Sequence, residues 1–493
     1  MKSALAQIAP VVDFHLGKQV EIGVVSKRSP LAIFILVTFW CWFFLSLNPL
    51  DIGLPVGQYN NKRIMQLILI CIFTLLVCIR AYRVALPRVP QNKLLLTAWV
   101  LSLLLVFLST VFSANIYHSL IESLHWLLLA SIFCCGIYVA CMGLSRLLLL
   151  GLLVLHGLVV LKALLFLGYE VAVGGSLRAE MLYPSVEHHR FFNQVQVFVV
   201  PLLFLWAART DFRKFAYFFL FINILLAFCG GARGLLVGLI AATFLAYLLM
   251  KPWRPQILTA AVIGVLAFFV YLILALIVDA GHGSDVFRAH TSGRSIIWRG
   301  LIDALSPAHF FIGEGSGAYS YHSLGRKEGH PHNSLLQLIF EWGGVATIAM
   351  FSLLLLILLL SWRAICGPNI IGQERDISAA ILTAVVSAII YSLFSGIVVM
   401  PIPQTLLFFF LGMLWGKALQ SGNQGLNLDG RTISRTTVID VASILTCWVG
   451  VTVILLLYVT LCSAYFVQQS FDPNEFRAPR FWAEGEQFRG TIY

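Results

Sequence analysis

Long apolar runs separated by short polar turns make up most of the chain. Thirteen such runs can be marked: Leu31–Leu47, Ile64–Ile79, Leu94–Ser113, Ser119–Met142, Leu147–Leu167, Phe191–Ala208, Phe215–Cys229, Leu235–Met250, Ile257–Val278, Ser334–Ser361, Ile377–Val399, Gln404–Gly416 and Val441–Val467. A helix needs about twenty apolar residues to cross the hydrocarbon of a bilayer. The pattern therefore predicts an all-α integral membrane protein with 12 to 13 transmembrane helices. Thirteen crossings put the carboxyl-terminal tail outside and twelve put it inside, and the weakest candidates to cross are the pair around Met400–Pro403.

The same pattern divides the chain. Residues 1–278 read as transmembrane helices 1–9 with short loops, 279–333 as one large loop, 334–467 as helices 10–13, and 468–493 as a polar tail. Gly168–Arg190 is a second, smaller loop on the side of the large one. The large loop, about 55 residues long, is longer than structureless connections usually are unless they serve a function. Within it, Ser292–Leu305 places Ile296, Ile297, Leu301 and Leu305 at helical spacing, which predicts a short helix near the membrane surface. Phe310–Gly325 follows, rich in glycine and aromatics, and reads as a turn packed against the membrane interface.

Composition agrees: 59% of residues are hydrophobic and 11% charged, far from the roughly one quarter charged of soluble domains. The first thirty residues are too polar for a secretory signal, and Lys18, Lys27 and Arg28 lead into the first span. A cytoplasmic start then leaves Arg80–Lys93, Arg209 with Arg213 and Lys214, Lys251 with Arg254, and Arg431 with Arg435 inside, as the positive-inside rule requires. The net charge of +11 is mostly this topology signal. It carries no aromatic-interleaved basic stripe, so nucleic acid is not an expected partner, whereas membrane lipids are. The ten cysteines lie in or beside apolar runs with no CxxC and read as packing residues.

The chemistry-bearing residues gather on the outer side. Six of the twelve histidines, at 282, 290, 309, 322, 330 and 332, fall in the large loop. A solvated loop histidine accounts for most of them. His332 differs because it stands where loop becomes helix, with Asn333 or Ser334 as the cap. Arg190, Arg233, Arg288, Arg294 and Arg299 lie on the same side, against the positive-inside trend. For Arg288 and Arg299, snorkelling to lipid headgroups explains the position as well as function does. Arg190, beside Asn193 and Gln196 on an apolar helix, and Arg233, in the glycine-rich CGGARGLL, favour a bulky anion.

A diphosphate on a lipid carrier is such an anion, and the guanidinium fork matches its oxygens without a metal. No DxD motif occurs in the outer loops, so no metal and no cofactor is expected. Nearby guanidinium charge disfavours imidazolium and keeps His332 able to accept a proton from an acceptor hydroxyl. Glu341, two turns into the following helix, reads as a partner for an arginine or, slightly favoured, as a buried structural group.

RFFNQVQ at Arg190, GGARGLL at Arg233, SGRSIIW at Arg294, GEGSGAY at Gly313 and above all HPHNSLLQLIFEWG at His330 together resemble the bacterial O-antigen ligase, O-antigen polymerase and protein O-oligosaccharyltransferase superfamily. The similar part runs from about Arg190 to Leu360, and the most specific element is the histidine-asparagine entry into a helix. The resemblance implies a metal-independent inner-membrane glycosyltransferase with a periplasmic loop between spans 9 and 10. It also implies an undecaprenyl diphosphate-linked glycan as donor and, for a ligase, lipid A-core oligosaccharide as acceptor. By the same resemblance His332 is the base, Arg190 and Arg233 hold the diphosphate, and Arg294, Arg299, His330 and Asn333 complete the substrate site. Ligases of this kind usually have twelve spans, so Val441–Val467 and the tail depart from the pattern. A polymerase or protein O-glycosylase shares the chemistry and differs in acceptor. A transporter or flippase for a lipid-linked anion belongs to another class and calls for ionisable groups at mid-membrane or symmetric broken helices.

Overall fold

The computed structural model describes residues 30–50, 58–80, 93–174, 189–277, 293–320, 329–424, 450–464 and 481. The remainder, including the amino terminus, Arg288, His282, His290, His322, Arg431 and Arg435, lies outside the described residues. All regular structure among the described residues is helical. Before the large loop come α1 (Pro30–Leu47), α2 (Gln58–Arg80), α3 (Lys93–Val111), α4 (Ile116–Cys141), α5 (Ser145–Ala172), α6 (His189–Leu205), α7 (Arg213–Cys229), α8 (Arg233–Leu249) and α9 (Arg254–Ile277). The loop contains α10 (Arg294–Ala304). After it come α11 (Ser334–Trp342), α12 (Gly344–Cys366), α13 (Gly372–Ser392), α14 (Pro401–Gln424) and α15 (Gly450–Ala464).

Among the described residues, nine helices are long and apolar enough to cross a bilayer, and three shorter apolar ones accompany them. The protein is a multi-pass membrane protein. Nine helices precede the loop among the described residues, six of them long and apolar enough to cross, and α13 and α14 on either side of Met400–Pro403 are both long and apolar.

Burial ranks the helices from centre to lipid. Every residue of α6 from Phe191 to Leu205 is buried, as befits a helix enclosed on all sides. α13 runs along both α6 and α8. At the periphery, α9 exposes Leu258, Val262, Val265, Leu266, Phe269 and Ile273, an apolar face suited to acyl chains. α4 and α14 pack with backbones almost touching: a Cβ on Gly412 would overlap the carbonyl of Phe133, and Gly136 meets Phe409 in the same way. Lipid supplies no hydrophobic drive between helices, so this close approach matters. Gly412→Leu is expected to cost about 1–3 kcal/mol or more by overpacking, seen as loss of folded protein on heating in detergent.

One predicted span is two helices. Ser334–Ser361 breaks at Gly343, whose φ of 91° and ψ of 157° lie in a region open to glycine alone. The break leaves the last carbonyls of α11 without helical donors, and the glycine-rich loop supplies them: Glu314 N donates to Phe340 O and Gly315 N to Glu341 O, both at 2.9 Å. The glycine-rich middle of the loop expected at the membrane interface is thus packed inside the protein, with Gly315 against Ser113 and Ser119 and Gly317 against His118, while Phe310 and Phe311 are exposed. In α10, Ile297 and Leu301 face inward as expected, but Ile296 is exposed.

The two ends of the bundle differ in chemistry. At the ends of α6 and α8 away from Arg190 and Arg233, Arg209 Nε donates to Asp376 Oδ2 at 2.9 Å and Trp253 Nε1 to Asp376 Oδ1 at 2.8 Å. There the basic groups are tied into the start of α13.

Candidate functional site

The arginines singled out from sequence stand at helix starts. Arg233 and Arg294 are the first residues of α8 and α10, and Arg190 is the second of α6. His332 and Asn333 stand directly before α11. Unsatisfied N–H groups and the helix dipole make each such terminus favourable to an anion.

The carboxyl end of α13 brings them together. Tyr391, near the end of α13, lies within electrostatic reach of both Arg190 and Arg294. Gln194, one turn after Arg190 and so on its face, donates from Nε2 to Ser395 Oγ at 3.1 Å. α8 reaches the same place at Gly234, the residue after Arg233, which packs so closely on Tyr391 and Phe394 that a Cβ would sit 2.9 Å from the tyrosine ring. α10 reaches the same place through Trp298, four residues after Arg294, whose indole lies 6.4 Å from the Phe394 ring.

Trp298 also ties the arginines to the histidines, since its Nε1 donates to the carbonyl of Pro331 at 2.9 Å. On either side of that proline, the rings of His330 and His332 lie 4.2 Å apart, edge to face. His332 N donates to His330 Nδ1 at 3.2 Å, so His330 carries its proton on Nε2. Its ring rests on Gly396, one residue beyond Ser395: a Cβ there would fall 2.9 Å from Nε2.

His332 holds φ at 55°, a left-handed conformation costing a non-glycine residue about 1–2 kcal/mol. Among the described residues only Asn48 shares this feature outside glycine. Such strain persists where surroundings enforce it, and it clusters at functional sites. Asn333 is the cap, with Oδ1 accepting from Leu336 N at 3.1 Å, so the histidine is fixed against a rigid helix start.

The other expected residues divide. Arg299 is exposed on α10 and is not drawn into this cluster. His309 is a structural residue that closes its own turn through Ser306 and pairs with Glu314 at 2.8 Å. Glu341 is fully buried and holds the glycine-rich loop: Oε2 accepts from Gly317 N at 3.0 Å and Oε1 from Gln337 Nε2 at 3.1 Å. Glu341→Ala leaves both donors buried without an acceptor. An expected cost of about 1–3 kcal/mol is measurable as a lowered Tm in detergent.

Tyr391, Gln194, Ser395 and Trp298 were not singled out from sequence. Only Gln194 carried a signal, as a polar residue one turn from Arg190.

The arrangement gathers cations, helix starts and a strained imidazole at one end of the bundle. It suits binding an anionic group beside a proton acceptor. Residues 216–351 match the family model described as O-antigen ligase. That segment is similar to an O-antigen ligase domain. It covers well under half of the chain, and it includes Arg233, Arg294, Arg299, His330, His332, Asn333 and Glu341 while leaving out Arg190. Comparison with curated proteins and with solved structures finds no match. The motif resemblance and the matched segment together point to an O-antigen ligase-type glycosyltransferase in a multi-pass membrane protein.

Proposed function

We propose that this protein is an inner-membrane O-antigen ligase, passing glycan from undecaprenyl diphosphate to a hydroxyl of lipid A-core oligosaccharide at the periplasmic face. The observation that carries this is the strained His332 at the start of α11, tied through Trp298 and Pro331 to the helix that begins with Arg294, at the end of the bundle where α6 and α8 start with Arg190 and Arg233. In the reaction, the imidazole of His332 takes the proton of the acceptor hydroxyl as its oxygen bonds to the anomeric carbon. The bond from that carbon to the diphosphate oxygen breaks, and its electrons leave with undecaprenyl diphosphate. The guanidinium groups carry the charge that develops there. The imidazolium then gives its proton to water or to the departing diphosphate, which restores the base.

Sidedness follows from charge. Arg209, Arg213, Lys214, Lys251 and Arg254 occupy the turns α6–α7 and α8–α9, at the opposite helix ends from the cluster. The positive-inside rule puts those turns in the cytoplasm and the cluster in the periplasm.

The test uses purified protein in detergent with undecaprenyl diphosphate-linked glycan. Glycan appearing on lipid A-core supports the proposal. Elongation of glycan alone would mean a polymerase, and transfer to a protein hydroxyl an O-oligosaccharyltransferase. No transfer to any acceptor, with donor still bound, would leave a transporter.

A further inference from the structure

A second arginine site, away from the anion-binding helix starts, was not foreshadowed by sequence. Arg63, on the second turn of α2, is 2% exposed. Burying a guanidinium in a membrane protein is costly unless its donors are met. Here they are met by neutral groups. Nε donates to Phe481 O at 3.0 Å, Nη1 to Gln66 Oε1 at 2.6 Å, and Nη2 to Val399 O at 2.8 Å and Tyr59 Oη at 3.2 Å. The ring of Phe481 lies 4.9 Å from the guanidinium carbon. With these donors committed, Arg63 is not placed to hold a phosphate as Arg190 and Arg233 are.

Its surroundings form one network. His125 Nε2 lies 2.9 Å from Gln404 Oε1 and Nδ1 lies 2.6 Å from Tyr458 Oη. Arg63 Nη1 also lies 3.3 Å from His125 Nε2, so the imidazole joins the guanidinium, Gln404 and Tyr458 in one contact set. Gln66 Nε2 donates to Pro401 O at 3.1 Å, and Gln404 Nε2 to Val398 O at 2.7 Å. The carbonyls of Val398, Val399 and Pro401, in the turn from α13 to α14, are thus all claimed by side chains of this network.

That turn also touches the histidine pair. Val399 N and Met400 N both donate to Gly396 O, at 3.1 and 2.9 Å, and Gly396 is the surface against which the His330 ring rests. His330 in turn accepts from His332 N. We propose that Arg63 is a positioning residue for the His330–His332 pair, acting through the Val399–Gly396 turn, with Phe481 capping the guanidinium. The catalytic half of the test rests on the proposed glycosyl transfer; the chemical half does not.

The experiment compares purified full-length Arg63→Lys and Phe481→Ala proteins with the parent in detergent. Lysine keeps the charge and loses the fork; alanine keeps the Phe481 carbonyl and loses the ring. The first readout is the rate at which diethyl pyrocarbonate modifies His330 and His332, read by peptide mass spectrometry against His156, which is buried between α5 and α7. Both variants are expected to raise the rate at the pair several-fold and leave His156 unchanged. The second readout is turnover: kcat per folded protein falls between about tenfold and a hundredfold in Arg63→Lys while the donor KM holds. That loss shrinks when combined with His330→Ala, as a shared pathway requires.

A lowered Tm with unchanged histidine reactivity and unchanged kcat per folded protein would overturn the proposal, as would losses that simply multiply with His330→Ala. Should Arg63→Lys fail to fold, Phe481→Ala decides alone by the same measures. A parent protein that transfers no glycan sinks the proposed reaction, and the modification rates still decide whether Arg63 positions the pair.

Discussion

Exchanging His332 for alanine or asparagine is expected to leave a folded, inserted protein whose transfer rate has dropped by about 10²–10⁴, the usual contribution of a positioned general base. The two substitutions separate chemistry from conformation. At a φ of 55°, alanine keeps the strain of a non-glycine residue, whereas asparagine tolerates the left-handed region better than most. Its amide cannot act as a base. If imidazole chemistry is what matters, both variants are equally inactive although His332→Asn has the higher Tm. If the backbone bend is what matters, His332→Asn recovers turnover and the assignment of the base falls. Capping of lipopolysaccharide in a ligase-null strain, beside thermal unfolding of the purified variants, reads both quantities. His330→Ala should be milder: it removes the acceptor for His332 N but leaves Trp298 bonded to Pro331 and Asn333 capping α11.

The apolar runs made the bundle legible because crossing helices are written as long stretches with little else in them. Nine helices ahead of the loop, the short α10 and the cap at Asn333 could all be read from local sequence. Two things could not. The break at Gly343 hides in a continuous apolar run, since a single glycine is common within helices and only the docking of the glycine-rich loop onto Phe340 O and Glu341 O turns this one into a terminus. The partners of the arginines are the other gap. Tyr391 at the end of α13 and Ser395 just beyond it lie about two hundred residues from Arg190, in a stretch whose sequence shows no special motif, and no local pattern announces that Gly234 brings α8 against Tyr391. Arg63 was missed for the same reason. Its acceptors belong to α2, the α13–α14 turn and a residue near the end of the chain, and an arginine at the start of an apolar helix reads as an interfacial anchor until those partners are seen. Arg299 is exposed on α10, as its reading as an arginine snorkelling to headgroups also has it.

Arg190→Ala and Arg233→Ala should each lower kcat/KM for transfer by about 10²–10³, the effect of removing one preorganised charged donor at a developing negative charge, on the order of 2.7–4 kcal/mol. Arg190 is the sharper test because it lies outside the matched segment 216–351, so its inclusion rests on motif resemblance and on geometry: its neighbourhood with Arg294 around Tyr391 and the Gln194–Ser395 bond one turn below. Arg190→Lys should recover only part of the loss, since an ammonium keeps the charge without the bidentate fork. Arg299→Ala, on the exposed face of α10, should stay within about twofold of the parent, the scale of a surface substitution. The combined Arg190→Ala, Arg233→Ala protein should lose less than the product of the single effects if both guanidiniums grip one diphosphate, because residues acting as a unit are not additive. Binding of undecaprenyl diphosphate, measured by displacement of a fluorescent analogue, should weaken in the same order as kcat/KM. If the analogue binds both single variants as tightly as it binds the parent, the arginines do not hold the leaving group, and the cluster around Tyr391 must serve the acceptor instead.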